Sequence, residues 1–317
     1  MITRAKLVLF NALPLAVFAL VYLATYAGGA SSVSPYLLEY RACRALSTLL
    51  AGGTLAIAGC YLQATLRNPL VDHHILGVGS GALFASYVAV IFLGYTLPAI
   101  SVSAIVGGLV ALALTTLISE RISGSDVAYV LTGISIMSLF SGLSVLLSYY
   151  AVTKYPHASL MLVGSFTLTT RDKLIPALFS YALVYSAYIS FSKRLNALLL
   201  GDEYAAQLGV NPRFTRLTLA VVSGTSASIV VSLFGLIGFV GLIAPHISRF
   251  LLGTSDNRLV IPLSAALGSL ILYAADAFSR LVTSPVMGEV PAGAVVSALG
   301  APFFTLLVVK RLGRVNA

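Results

Sequence analysis

The side chains with chemistry to offer are few, and their spacing sorts them into small groups. The densest is the polar run Lys193–Arg213, set between two long apolar stretches. In it Asp202 and Glu203 suit the first turn of a short helix, where carboxylates meet the positive end of the helix dipole. Gly209 suits the C-terminal cap of that helix, and Asn211-Pro212 opens the next one. A short helix lying across the cytoplasmic surface can sit in a partner's groove and push on the spans either side; the alternative is an interfacial helix resting on the lipid. Asp276 is the one convincing acid inside an apolar stretch, and Arg280 follows it by four, the order that favours pairing along a helix. His73-His74 are adjacent without a third ligand, which is poor metal chemistry. Pro245-His246 with Arg249 reads as packing and helix ending, and Cys43 and Cys60, with no CxxC spacing, read as buried free thiols.

Several chemistries are missing. No GxxxxGK[ST] occurs, so the chain binds no nucleotide through a P-loop. Gly77-Val-Gly79-Ser-Gly81 is helix packing and not a dinucleotide fingerprint, because no strand precedes it. There is no HExxH, no pair of intramembrane carboxylates and no credible Ser/His pair, which ranks an intramembrane enzyme last. A stand-alone secondary carrier is the stronger rival, but such carriers place several ionisable groups in mid-membrane. A driving force supplied by a partner fits better, and the polar run is where it would couple.

The elements that must position these residues follow from composition. With 58% hydrophobic and 9% charged residues and a mean hydropathy of +0.98, the chain is far from the roughly 25% charged residues of soluble domains. Long apolar runs recur along the whole length and do not alternate, so the fold class is an all-α polytopic transmembrane bundle and not a β-barrel. Helices are expected at about 7–27, 41–66, 75–93, 98–119, 126–150, 172–192, 213–234, 240–252, 258–281 and 293–311. The first is a retained span, since its apolar run exceeds that of a signal peptide. The stretch 240–252 is short for a span, and Ala158–Val163 in the loop 151–171 suggests a short helix dipping back to the bundle.

With the N-terminus inside, thirteen Lys and Arg fall on the cytoplasmic side and Arg41, Arg44, Lys154, Arg171, Lys173 and Arg280 fall outside. That asymmetry supports ten spans with both termini cytoplasmic. It also accounts for the net charge of +9 without nucleic acid, for which no basic cluster with interleaved aromatics exists. Residues 1–317 read as one membrane domain, with the segment 193–213 facing the cytoplasm.

Several stretches, in chain order, resemble one family, the FecCD-type permeases: membrane subunits of ATP-binding-cassette (ABC) importers for iron-siderophores, haem and vitamin B12. They are Arg41-Ala-Cys-Arg44; Gly59 with Gln63; Asn68-Pro-Leu-Val-Asp72 with Leu76-Gly-Val78; and Leu200-Gly-Asp-Glu203 with Ala205 and Leu208-Gly-Val210. Next come Gly238-Phe-Val-Gly-Leu-Ile-Ala-Pro-His-Ile-Ser-Arg249, Ala275-Asp276 with Arg280, and Glu289-Val-Pro-Ala-Gly293 leading to Gly300-Ala-Pro-Phe-Phe304. The family favours Trp where Met161 stands, and proline where His73 and Leu236 stand.

The resemblance implies ten spans and a homodimer with its pathway on the two-fold axis. It implies two cytoplasmic ATPase subunits, which would carry ATP and Mg while this chain binds no cofactor or metal, and a substrate-binding protein docking outside. Gly201, Asp202, Glu203, Ala205, Leu208 and Gly209 then look like the ATPase-coupling helix. Arg41, Arg44 and Arg280 look like outward arginines that pair with glutamates of the binding protein. Ser123, Ser125, Asp126 and Val127 look like the cytoplasmic gate. Tyr149, Tyr150 and Tyr155 are polar-tipped candidates near the outer mouth of an otherwise small and apolar pathway. The substrate stays open among iron-siderophore, haem and cobalamin, with small oxyanions as an outlier.

Overall fold

The computed structural model describes residues 4–27, 34–284 and 288–313. The stretch 28–33, Arg314 and the side chain of Asp126 lie outside what it describes. The elements in order are α1 (Arg4–Ala27), α2 (Pro35–Thr65), α3 (Val78–Phe92), α4 (Leu97–Ile122), α5 (Asp126–Lys154), a 3-10 turn (Pro156–Leu162), α6 (Arg171–Leu199), α7 (Asp202–Gln207), α8 (Pro212–Phe234), α9 (Val240–Leu252), α10 (Asn257–Leu281) and α11 (Ala292–Gly313). Between α10 and α11, β1 (Thr283–Ser284) pairs antiparallel with β2 (Gly288–Glu289). Among the described residues, seven helices are long and apolar enough to cross a membrane, and α3, α9 and the described part of α11 are shorter apolar helices.

Local sequence explains many of the starts. Ser34, Ser125, Asn211 and Asp256 each cap a helix by accepting a backbone N–H with the side-chain oxygen. Proline follows directly at Pro35 and Pro212, where its missing N–H costs nothing.

The core is built around α2. In its most apolar window 94% of the residues are buried, against 6% in α1, so α2 is the central post and α1 an outer stave. Its glycines let neighbouring backbones come close: a Cβ at Gly52 would collide with the carbonyl of Gly268, and one at Gly59 with the carbonyl of Gly241. Lipid offers no hydrophobic drive between helices, so such close van der Waals approach is a main source of packing energy.

One stretch of irregular backbone lies inside the bundle, at Gly235–Phe239 between α8 and α9. Its polar groups are met by the segment after α5. The Leu236 N–H donates to the Met161 carbonyl at 3.0 Å, and the Ser165 N–H donates to the Phe234 carbonyl at 2.8 Å. Away from water, non-helical backbone is tolerated only where protein satisfies it in this way. The short helix expected around Ala158–Val163 is therefore present as the 3-10 turn and serves as that partner.

Two boundaries need correction. The helix expected at 41–66 starts at Pro35, capped by Ser34. The helix expected to end at 192 continues to Leu199, because Leu195, Ala197 and Leu198 are buried, so the polar run begins as the last turns of α6.

Candidate functional site

Two polar clusters lie at opposite ends of the bundle. The first gathers at the N-terminal end of α2 and the C-terminal end of α10. Arg44 was expected to be an outward-facing arginine; instead it is 2% exposed. Its Nη2 donates to Asp276 Oδ1 at 2.9 Å and to Glu289 Oε2 at 2.6 Å, and Nε donates to Asp276 Oδ2 at 3.0 Å. The Tyr40 hydroxyl accepts from Nη1 at 3.0 Å and donates to the Thr167 carbonyl at 2.9 Å. A buried guanidinium persists only when its donors are taken up by charged and polar partners, as here. Arg44 is thus the clasp between α2, α10, β2 and the loop before α6, and is not free to meet another protein in this conformation.

Asp276 was expected to pair with Arg280, and Arg280 Nε does lie 3.5 Å from Asp276 Oδ2. The shorter, forked contact is the one to Arg44, 232 residues away in sequence. Arg41, Arg44 and Arg280 nevertheless meet: together with Ala24, Thr25, Ala45 and Tyr273 they line a cavity of 200 Å³. Of these arginines Arg44 is paired with Asp276 and Glu289 and Arg280 with Asp276, whereas Arg41 has no ion-pair partner among the described residues. The rim keeps an excess of positive charge suited to an incoming carboxylate. Sequence offered Glu289 only as part of the stretch Glu289-Val-Pro-Ala-Gly293, with no role; it is the last residue of β2 and reaches Arg44 from there.

The second cluster is α7. Gly201, at φ +117°, supplies the turn out of α6. The end of α7 is a Schellman motif: Gly209 at φ +76° donates to the Ala206 carbonyl, and Val210 donates to the Ala205 carbonyl, both at 2.9 Å. Ala205 is buried against Ala197 and Leu198 with Val210 beside it, whereas Glu203, Tyr204 and Leu208 are exposed. Asp202 points the other way. Its two oxygens accept from Arg216 Nη2 and Nη1 at 2.6 and 2.7 Å, while Arg216 Nε donates to the Thr65 carbonyl at the end of α2 at 3.0 Å. Asp202 therefore ties α7 to α8 and α2, and Glu203, Tyr204 and Leu208 form the outward face.

The flanking polar residues also have structural work. Asn196 Nδ2 donates to Asp256 Oδ1 at 2.7 Å, and Asn196 Oδ1 accepts from the Asn257 N–H at 2.8 Å, fastening the end of α6 to the start of α10. Asp256 also accepts from Arg258 Nη2 at 2.6 Å. Burial alone would raise the Asp256 carboxyl, but the hydrogen bonds from Arg258 and Asn196 outweigh it and hold the group below the usual carboxylate range.

The remaining candidates sit along α5. Ser125 caps it by accepting from the Ala128 N–H at 3.2 Å, and the Ser123 and Ser125 hydroxyls are 2.8 Å apart. Val127 is 66% exposed at this end of α5, and Tyr149 and Tyr150 are 77% and 66% exposed near its other end. Tyr155 is half-buried against Tyr95, ring to ring at 5.6 Å. The cavity lined by Arg41, Arg44 and Arg280 does not include these tyrosines. Among the described residues, no group of three His, Cys, Asp or Glu is close enough to hold a metal ion.

Against known proteins, residues 8–310 match the model of the FecCD transport family. The chain is 35% identical over 277 residues to the molybdate import system permease protein MolB of Haemophilus influenzae, covering 86% of this chain and 81% of that one. It is 30% identical over 285 residues to a probable iron chelatin transport system permease protein of Helicobacter pylori, covering 89% and 85%. One solved structure, an inward-facing ABC transporter provisionally assigned to the metal-chelate type, superposes with a TM-score of 0.80 at 31% identity over 95% of this chain and 99% of that one.

Proposed function

The chain belongs to the FecCD transport family and is a multi-pass protein of the cell membrane, and from that premise we propose that it is the permease subunit of a binding-protein-dependent ABC importer. In this reading ten segments cross the membrane, the seven long helices with α3, α9 and α11, and both termini are cytoplasmic. Two copies enclose the pathway. Two cytoplasmic ATPase subunits hold ATP and Mg and drive it, and an extracytoplasmic binding protein delivers the substrate. This chain carries out no chemistry itself.

The observation that carries the proposal is the placing of two unlike polar clusters at opposite ends of one helical bundle, each suited to docking a different partner. At one end Arg41 and Arg280, the latter paired with Asp276, offer positive charge around a cavity. At the other, α7 presents Glu203, Tyr204 and Leu208 from a base pinned by Ala205 and by the Asp202–Arg216 pair. A cleft in the ATPase that grips α7 would push directly on α6 and α8. Exposed ion pairs to a binding protein are individually weak, so the arginines would chiefly set orientation and encounter rate.

The substrate we favour is a metal chelate, because the chain resembles a probable iron chelatin permease and superposes over nearly its whole length on an ABC transporter of the metal-chelate type. The relationship to a molybdate permease makes an oxyanion the second candidate. The test is reconstitution of the chain with a cognate ATPase and binding protein in liposomes. Uptake that needs ATP and the binding protein is expected; uptake by the chain alone under an ion gradient would make it a secondary carrier. The same gradient mechanism is disfavoured by Asp276, whose carboxylate is engaged by Arg44 and so is poorly placed to relay protons. The ligand that copurifies with the binding protein identifies the cargo.

A further inference from the structure

A second cavity, of 540 Å³, opens at the α7 end of the bundle. Its walls come from the C-terminal ends of α2, α6 and α9 and the N-terminal end of α10, and its polar lining includes Arg67, Arg249, Gln63, His246 and Asn257. Among the described residues, no carboxylate lines it. Neither Arg67 nor Arg249 has an ion-pair partner among the described residues, whereas Arg44, Arg171, Arg216, Arg258 and Arg280 all do.

Arg249 is held in place within this wall. One of its Nη groups donates to Gln63 Oε1, and Gln63 Nε2 donates to the Gly241 carbonyl at 2.9 Å. Gln63 is 3% exposed, so the arginine's base is fixed from inside while its other donors have no partner described.

Arg67 is unusual in its backbone. It follows Leu66, the C-cap of α2, and adopts φ +49°. The Asn68 N–H donates to the Gln63 carbonyl at 3.1 Å, which makes Arg67 the left-handed residue of a Schellman ending. Glycine is the residue this position asks for, since it alone takes that conformation without a Cβ penalty. An arginine kept there, exposed and without a hydrogen bond among the described residues, has a side chain with a use at the cavity.

We propose that this cavity binds a phosphate group, held by Arg67 and Arg249 beside the base of the coupling segment. Two guanidinium forks suit the tetrahedral, multiply accepting oxygens of phosphate. Basic pockets between helix ends on the cytoplasmic side of membrane proteins take anionic headgroups. Leu199 at the wall and Phe250, 81% exposed at the rim, offer apolar surface to whatever carries the phosphate. Leu199 is also the last residue of α6, two before Gly201, so occupancy would bear on the root of α7. The phosphate reaches the site either on a lipid headgroup or as a soluble ion.

The test uses the purified full chain. Native mass spectrometry compares retention of phosphatidylglycerol and phosphatidylcholine, and thermal unfolding in detergent compares inorganic phosphate with chloride at equal ionic strength. The wild-type chain is expected to prefer phosphatidylglycerol or to be stabilised by phosphate. Arg67→Gln and Arg249→Gln should each weaken that binding by about tenfold, the size of one charge-assisted hydrogen bond. Arg67→Gly is the decisive variant: it suits the backbone better than arginine, so loss of binding with unimpaired stability cannot come from misfolding. Lipid preference without an effect of inorganic phosphate assigns the headgroup, and stabilisation by inorganic phosphate assigns a soluble ion. Absence of both responses, or responses unchanged in all three variants, overturns the proposal. Unchanged responses together with lost ATPase copurification also overturn it, and assign the cavity to a carboxylate of the ATPase.

Discussion

Buried charge is the most informative feature at the scale of single residues. Arg44 and Asp276 are 2% and 1% exposed, and each depends on the other for compensation. Removing one partner strands the other: Arg44→Ala or Asp276→Ala should each cost about 3–5 kcal/mol. The double variant should cost clearly less than the sum, which thermal unfolding of the four proteins in detergent would read as a coupling energy. Additive losses would mean that the pair is not the clasp described. Asp256 gives a second, pH-dependent expectation. Its carboxyl is held below its unfolded value, so its contribution is present above the ordinary carboxylate pKa and lost as pH falls through the lowered folded one. Melting temperature should therefore fall in acid, below about pH 4, the ordinary carboxylate range. That fall should be shallower in Asp256→Asn, which cannot titrate.

Among the elements, α7 and α2 show how side chains of one type divide their roles. Asp202 and Glu203 are neighbours with the same charge and looked equivalent as a dipole-favoured pair. The fold turns Asp202 to Arg216 and leaves Glu203 exposed. Charge reversal should therefore split them. Glu203→Arg should leave stability unchanged but weaken copurification of the ATPase. Asp202→Arg should loosen α7 itself and be restored by the exchange with Arg216→Asp. The pair is partly exposed, so its intrinsic worth is only about 0.5–1 kcal/mol, and limited proteolysis at α7 will read it better than melting. Ala205→Pro removes the helix outright and should abolish coupling while the bundle still folds. In α2 the controlling residue type is glycine. Gly59→Val should destabilise by at least about 2 kcal/mol, because the carbonyl of Gly241 occupies the space a side chain needs.

For the whole molecule, the consequence is a post that runs the depth of the bundle with a polar cluster at each end. α2 carries Arg41 and Arg44 at one end and Gln63 at the other, and contributes to both cavities. α5 is different: much of its length is exposed, with Val127, Leu131, Leu139, Leu146 and Tyr149 uncovered. A homodimer closing on this helix is the expected arrangement. Cysteines placed singly at Val127 and Tyr149 in a Cys43→Ser, Cys60→Ser background should cross-link between copies, Val127 most readily when ATP closes the cytoplasmic side. An exclusively monomeric chain by mass measurement in nanodiscs would sink that arrangement. Tyr149→Phe and Tyr150→Phe should leave substrate preference unaltered if recognition belongs to the binding protein.

Composition and pattern alone decided much of this. Apolar runs too long and too uncharged for water fixed a helical membrane protein, since only helices satisfy their own backbone in lipid. The short α9, the 3-10 turn, the Schellman ending at Gly209 and the Asn211 cap were all legible, because each rests on contacts within a few residues. The family too was legible, from motifs strung in order along the chain. What the sequence left open were contacts made at long range. Arg44 reads identically whether it faces a partner or Asp276, and only the packing of α10 on α2 decides between them. Asp202 and Glu203 differ only in which one faces Arg216, and Arg67 and Arg249 share a cavity only because the ends of α2 and α9 meet. Local backbone chemistry is written residue by residue, but the pairing of charges across the bundle depends on which helix faces the fold brings together.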